Sequence, residues 1–93
     1  MNVLYVPDAV KVYLDISDYW PKDKIGNPVS VNSVYMGLVG KPNEVGRNTL
    51  RLALDGRLDR GHFSNQVKLA RIASEWSGKD LTILDLLRIE EDE

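Results

Sequence analysis

In the stretch VGRNTLRLALDGR, Val45 to Arg57, the residues Arg47, Asn48 and Arg51 fall on a different face of a helical repeat from Leu50, Ala53 and Leu54. These polar types share one chemistry. An arginine guanidinium donates two parallel hydrogen bonds to O6 and N7 of guanine, and an asparagine carboxamide donates and accepts at the adenine edge. Arg47, Asn48 and Arg51 are therefore the candidates for reading bases. Thr49 suits a phosphate or a thymine methyl, and Lys41, Arg57 and Arg60 stand in flanking loops where a duplex backbone would pass.

Other chemistries find little material. His62 is the one histidine and cysteine is absent, so no thiolate metal site, thiol nucleophile or disulfide is available, and no metal site is expected. The carboxylates form no pair set in an apolar pocket, so an enzyme is not expected. Gly26, Gly37, Gly40, Gly46, Gly56 and Gly61 match neither phosphate-loop nor dinucleotide spacing and read as turns and caps. Trp20, Trp76, Tyr13 and Tyr35 read as core aromatics rather than as a stacking platform for single strands. No cofactor is expected.

A net charge of −2 conceals a segregation along the chain. Residues 1–40 carry three Lys and four Asp. Residues 41–71 carry seven basic side chains (Lys41, Arg47, Arg51, Arg57, Arg60, Lys68, Arg71) against Glu44, Asp55 and Asp59. Residues 72–93 carry Lys79 and Arg88 against seven acids. A basic middle followed by an acidic end is the footprint of phosphate contact at one surface only; a mixed-charge solvated surface is the plainer alternative.

The elements that must hold these residues are short. With 93 residues, 43% hydrophobic and 28% charged, the chain predicts one folded domain over 1–93 with a modest core. No run reaches the roughly 18 apolar residues of a membrane span, and Met1 to Trp20 lacks the pattern of a signal peptide, so the cytoplasm is the expected compartment. Residues 1–28 are ambiguous. Val10, Val12, Leu14 and Ile16 alternate as in a half-buried strand, whereas Pro7-Asp8 followed by Val10, Tyr13, Ser17 and Trp20 fits a helix; the reading leans to helix. PKDKIGNPV reads as an exposed loop.

Asn32 or Ser33 then caps a helix burying Val34, Tyr35 and Leu38, which Gly40 and Pro42 stop. Arg47 to Leu54 is the next helix, closed by Asp55-Gly56. Ser64 caps another, with Val67, Ala70, Ala73 and Trp76 on one face. A last helix starts at Thr82 with Asp85 three residues on, faces Ile83, Leu86 and Leu87 inward, and leads to an acidic tail over 88–93 whose end EEDE, Glu90 to Glu93, is expected to fray. The expected fold is mainly α: a compact bundle of four or five short helices containing a helix-turn-helix, with an N-terminal β-strand as an open variant.

This arrangement resembles the Cro and lambda-repressor-like, or Xre-type, helix-turn-helix family. The residues that carry the resemblance are Val45, Gly46, Arg47-Asn48-Thr49, Leu50 and Gly56 in the turn and recognition helix, then Lys68-Leu69-Ala70, Leu81, Thr82 and Leu86-Leu87 downstream, together spanning Val45 to Leu87. The chain departs from the family's pattern in placing Gly40 and Pro42 before the recognition helix, which lengthens the turn or shortens the preceding helix, and Gly46 where the family prefers Ser or Thr. The resemblance implies sequence-specific binding of double-stranded DNA by a small bacterial or phage transcriptional regulator, repressor-like and dimeric on two half-sites. The alternative is a protein-binding module on the same scaffold, such as an antitoxin with a toxin partner or a phage inhibitor of a host protein, using the acidic end.

Overall fold

A computed structural model of the chain describes residues 10–91. Its elements in order are β1 (Val10–Leu14), α1 (Val31–Leu38), α2 (Arg47–Leu54), α3 (Phe63–Ser77), α4 (Ile83–Leu86) and β2 (Leu87–Glu91). β1 and β2 form a two-stranded antiparallel sheet in which Val10 pairs with Glu91, Val12 with Ile89 and Leu14 with Leu87.

This corrects the expectation of a helix bundle. Where the reading leaned to a helix after Pro7-Asp8, β1 takes Val10–Leu14 and residues 15–17 are irregular; the Pro7-Asp8 start lies outside the described residues. The reason lies in where the backbone N–H groups go. Leu14 donates to Leu58 O at 2.8 Å, Asp15 to Leu86 O at 3.0 Å and Ile16 to Ala53 O at 3.1 Å, so three successive amides tie this segment to three others. A helix would turn those donors back on itself. The extended form also sends Leu14 and Ile16, two residues apart, into the core, where they are 4% and 0% exposed. Over its described residues the tail is likewise not frayed: Glu90 and Glu91 belong to β2, and α4 ends after four residues because Leu87 already pairs with Leu14. Asp92 and Glu93 lie outside the described residues.

One core cluster joins the elements. Leu14, Ile16, Trp20, Val31, Val34, Val45, Leu50, Ala53, Leu58, Leu69, Ala70, Ile72, Ala73 and Leu86 are its buried members. Each fully buried leucine or isoleucine contributes on the order of 1.5 to 3 kcal/mol. Trp20 meets Trp76 of α3 edge to face with ring centroids 5.4 Å apart, and its indole N–H donates to Val29 O at 2.7 Å. That bond anchors the loop between β1 and α1, whose tip is closed by Asp23 Oδ1 accepting from the N–H groups of Ile25 and Asn27.

The caps explain the remaining boundaries. α1 is capped by Ser30, whose Oγ accepts from Ser33 N at 3.1 Å, so the helix starts earlier than an Asn32 or Ser33 cap would allow, and Val31 joins Val34 in the core. Tyr35 and Leu38 are half-buried. α3 has His62, not Ser64, at its N-cap, and buries Leu69, Ala70, Ile72 and Ala73; Val67 is exposed and Trp76 half-buried. Ser74 Oγ accepts from Leu81 N at 2.9 Å and donates to Ala70 O at 2.8 Å, which fastens the connection between α3 and α4. At the start of α4 the Asp85 carboxylate accepts from the N–H and hydroxyl of Thr82 at 2.7 and 3.1 Å, as the sequence spacing predicts.

Candidate nucleic-acid interface

α2 runs from Arg47 to Leu54, the bounds the sequence period predicts. Leu50 and Ala53 are fully buried, which fixes the helix's rotation, and Arg47, Asn48 and Arg51 are exposed. Thr49 is half-buried. Gly46 occupies the N-cap with an extended backbone and no side-chain acceptor, so the helix's first N–H groups have no side-chain cap. A helix start of this kind favours anionic groups.

The other end is closed by the chain reversing at Gly56, φ +69°. Arg57 N donates to Leu52 O at 2.8 Å and Gly56 N to Ala53 O at 3.4 Å, a pairing that requires the left-handed backbone glycine accepts without cost. The reversal delivers Leu58 to its bridge with Leu14.

Of the candidate site cations Lys41, Arg47, Arg51, Arg57 and Arg60, Arg47 is the most constrained. Its guanidinium carbon lies 4.2 Å from the centroid of the Tyr35 ring, and its Nε donates to Asn32 Oδ1 at 2.9 Å, so two residues of α1 hold it. Tyr35 is itself held: its hydroxyl donates to Glu44 Oε2 at 3.3 Å, and Glu44 Oε1 accepts from Gly40 N at 2.9 Å. The connection over 39–46 is longer than the three or four residues of a compact helix-turn-helix. Glu44 braces this longer connection against α1. Tyr35, Asn32 and Glu44 escaped the sequence reading because a half-buried aromatic looks like core and an exposed Asn like a cap. The available signal was an aromatic and an arginine on two helices that pack together.

Arg51 Nη1 lies 3.9 Å from Asp55 Oδ1, an exposed pair of adjacent helical turns that solvent screens. Arg51 thus remains available. Lys41 is exposed on the connection, where Lys41 N donates to Leu38 O. Arg57 and Arg60 have a different setting. Arg60 Nε donates to Asp59 Oδ1 at 3.1 Å, and that bond, with the charge behind it, holds the Asp59 carboxyl below the usual aspartate range. Arg57 borders a groove of about 830 Å³ between the ribbon and the end of α2, lined also by Asp15, Asp55, Asp59 and Glu90. The two cations beyond the C-terminal end of α2 therefore sit among carboxylates, whereas Arg47, Asn48 and Arg51 share one exposed face.

Among the described residues, no helix is long and apolar enough to cross a membrane. Comparison with known proteins finds no family model, no curated relative and no solved structure that matches the chain.

Proposed function

We propose that the chain binds double-stranded DNA sequence-specifically, as a small cytoplasmic regulator of transcription, with α2 in the major groove. The observation that carries this reading is the division of α2: Leu50 and Ala53 are buried with Leu54 half-buried beside them, while Arg47 and Asn48 are exposed at an N-terminal end without a side-chain cap and Arg51 is exposed one turn on. Arginine and asparagine are the side chains best matched to guanine and adenine edges, and the N-terminal half of a recognition helix is what meets them. Lys41, on the connection before α2, and Thr49 supply phosphate contacts, with Arg57 and Arg60 more distant helpers moderated by their acidic neighbours. A homodimer on two half-sites completes the reading.

The test is a fluorescence-anisotropy titration of random-sequence and genomic-neighbourhood duplexes at two salt concentrations, with the Arg47→Ala/Arg51→Ala double variant alongside. Sequence-dependent binding that weakens with salt and is lost in the variant is the expected result. Absence of binding to every duplex at low salt refutes it.

A second reading has its own observation. The groove lined by Asp15, Asp55, Asp59 and Glu90 offers four carboxylates against Lys11 and Arg57, a surface suited to a basic segment of a protein partner such as a toxin. Under this reading Glu90→Lys disrupts partner binding and the Arg47/Arg51 double variant does not.

A further inference from the structure

We infer that Tyr35 and Asn32 of α1 preset Arg47 as the specificity-determining side chain of α2, and that the duplex it reads carries a guanine opposite Arg47. The inference rests on the DNA reading above and adds to it the base and the residues that fix the choice.

An unrestrained arginine on a helix surface samples many rotamers, and any contact it makes must first collect them into one. Arg47 is already collected. One guanidinium face lies on the Tyr35 ring at 4.2 Å, and the Nε edge is taken by Asn32 Oδ1 at 2.9 Å. Among the described residues Nη1 and Nη2 have no partner, so the donors left over are the pair at the tip. That pair matches two acceptors side by side, which guanine offers as O6 and N7; adenine offers N7 beside an amino donor and is refused.

A backbone phosphate also accepts such a pair. Position favours the base: Arg47 is the first residue of α2, next to Asn48 and one turn before Arg51, where recognition helices meet base edges. The stack also needs a fixed ring. The Tyr35 hydroxyl bond to Glu44, and the Gly40 N–H bond to the same carboxylate, lock the ring to the connection that leads into α2. Setting Arg47 is thus coupled to setting the helix that carries it.

The test has one arm without DNA and one with it. In the free protein, ¹⁵N NMR should show the Arg47 Nε–H as a resolved, slowly exchanging resonance displaced by the Tyr35 ring. Asn32→Ala should collapse it into the averaged arginine signal. Tyr35→Leu should do the same, while Tyr35→Phe, which keeps the ring and drops the Glu44 bond that fixes it, should reduce the displacement without abolishing it. In the second arm, wild type and Asn32→Ala each select from a randomised duplex pool. Wild type should enrich a guanine at one fixed position, and Asn32→Ala should flatten that preference roughly tenfold. Placing 7-deazaguanine there, which removes N7, should weaken wild type about tenfold and leave Arg47→Ala unaffected.

An averaged Arg47 resonance in wild type overturns the preset. A resolved resonance with sequence-specific binding that ignores N7 overturns the guanine assignment and makes the contact a phosphate, with DNA binding itself intact. Failure to bind any duplex removes the DNA reading and the guanine with it. Because Asn32 is exposed, its alanine variant tests the preset even if Tyr35→Leu does not fold.

Discussion

The hydroxyl of Tyr13 donates to the carboxylate of Glu90, 77 residues further along the chain, across the two strands that join the ends of the described fold. The two residues sit diagonally on one face of the ribbon, with Lys11 opposite Glu90 and Arg88 opposite Tyr13. Arg88 in turn approaches Asp18 at 3.6 Å and donates to the carbonyls of Asp85 and Leu87. Tyr13, Glu90 and Arg88 are thus partnered, and the polar face, through Lys11, Tyr13 and Glu90, closes one wall of the acidic groove beside α2.

That bond sets how Tyr13 titrates. Donation to Glu90 holds the phenol in its neutral form and raises its pKa above the usual tyrosine value, with burial and the Glu90 charge acting in the same direction. Because the folded value is the higher one, the stabilisation is complete below the ordinary tyrosine range near pH 10 and disappears as pH climbs through the raised folded pKa. Absorbance at 295 nm should therefore show a late-titrating phenol that is missing in Tyr13→Phe and shifts to lower pH in Glu90→Gln. A Glu90→Gln curve that superimposes on wild type disproves the link.

Gly56 predicts a second, opposite pair of outcomes with Gly37. A Cβ at Gly56 would need φ near +69° and would stand 3.2 Å from Asp15 Oδ2. Since the Asp15 carboxylate can swing aside, backbone strain dominates, and Gly56→Ala should cost about 1 to 2 kcal/mol in urea unfolding. Gly37 lies inside α1 with nothing within 4 Å of its added Cβ, so Gly37→Ala should stabilise by about 1 kcal/mol through helix propensity. Equal effects at the two sites would mean that the chain reversal after α2 is not as described.

What the sequence made legible, and what it hid, divides along local and distant causes. α2 could be read because its signals are all local: Leu50, Ala53 and Leu54 at helical spacing, and Gly56 to end it. The Thr82–Asp85 cap was legible for the same reason. β1 was not, because Val10, Val12, Leu14 and Ile16 support a strand while Val10, Tyr13, Ser17 and Trp20 support a helix, and the choice is made by Leu86, Leu87 and Leu58, far along the chain. The acidic end shows the same limit. Glu90 and Glu91 look solvated in isolation and acquire a place only when the first strand faces them, Lys11 and Tyr13 meeting Glu90 and Val10 pairing with Glu91. At the site, the exposed residues of α2 were visible as a face, but the hold of Tyr35 and Asn32 on Arg47 depends on the packing of α1 against α2.

The cap of α4 carries more than a four-residue helix, since α4 passes directly into β2. Removing the Thr82 hydroxyl deletes one of the two bonds to Asp85, and Thr82→Ala should cost about 1 kcal/mol. Hydrogen exchange should reveal where: amides of β2 should exchange faster than those of α3. Uniform acceleration across the fold would instead indicate that α4 and β2 open only with the whole protein.

Under the proposed DNA reading, phosphate contacts should separate the two ends of α2. Lys41 is exposed and takes part in none of the described ion pairs, so Lys41→Ala should reduce the slope of log Kd against log salt by about one unit while leaving base preference unchanged. Arg60 donates to Asp59, and Arg57 stands beside four carboxylates, so either alanine variant should change the slope by less. Asp55→Asn tests the same electrostatics from the other direction. It removes the charge 3.9 Å from Arg51 Nη1 and should tighten duplex binding several-fold at low salt, the gain fading as added salt screens what the carboxylate had opposed. If Arg57→Ala or Arg60→Ala changes the slope more than Lys41→Ala, the duplex lies towards the C-terminal end of α2, and base reading by Arg47 is ruled out.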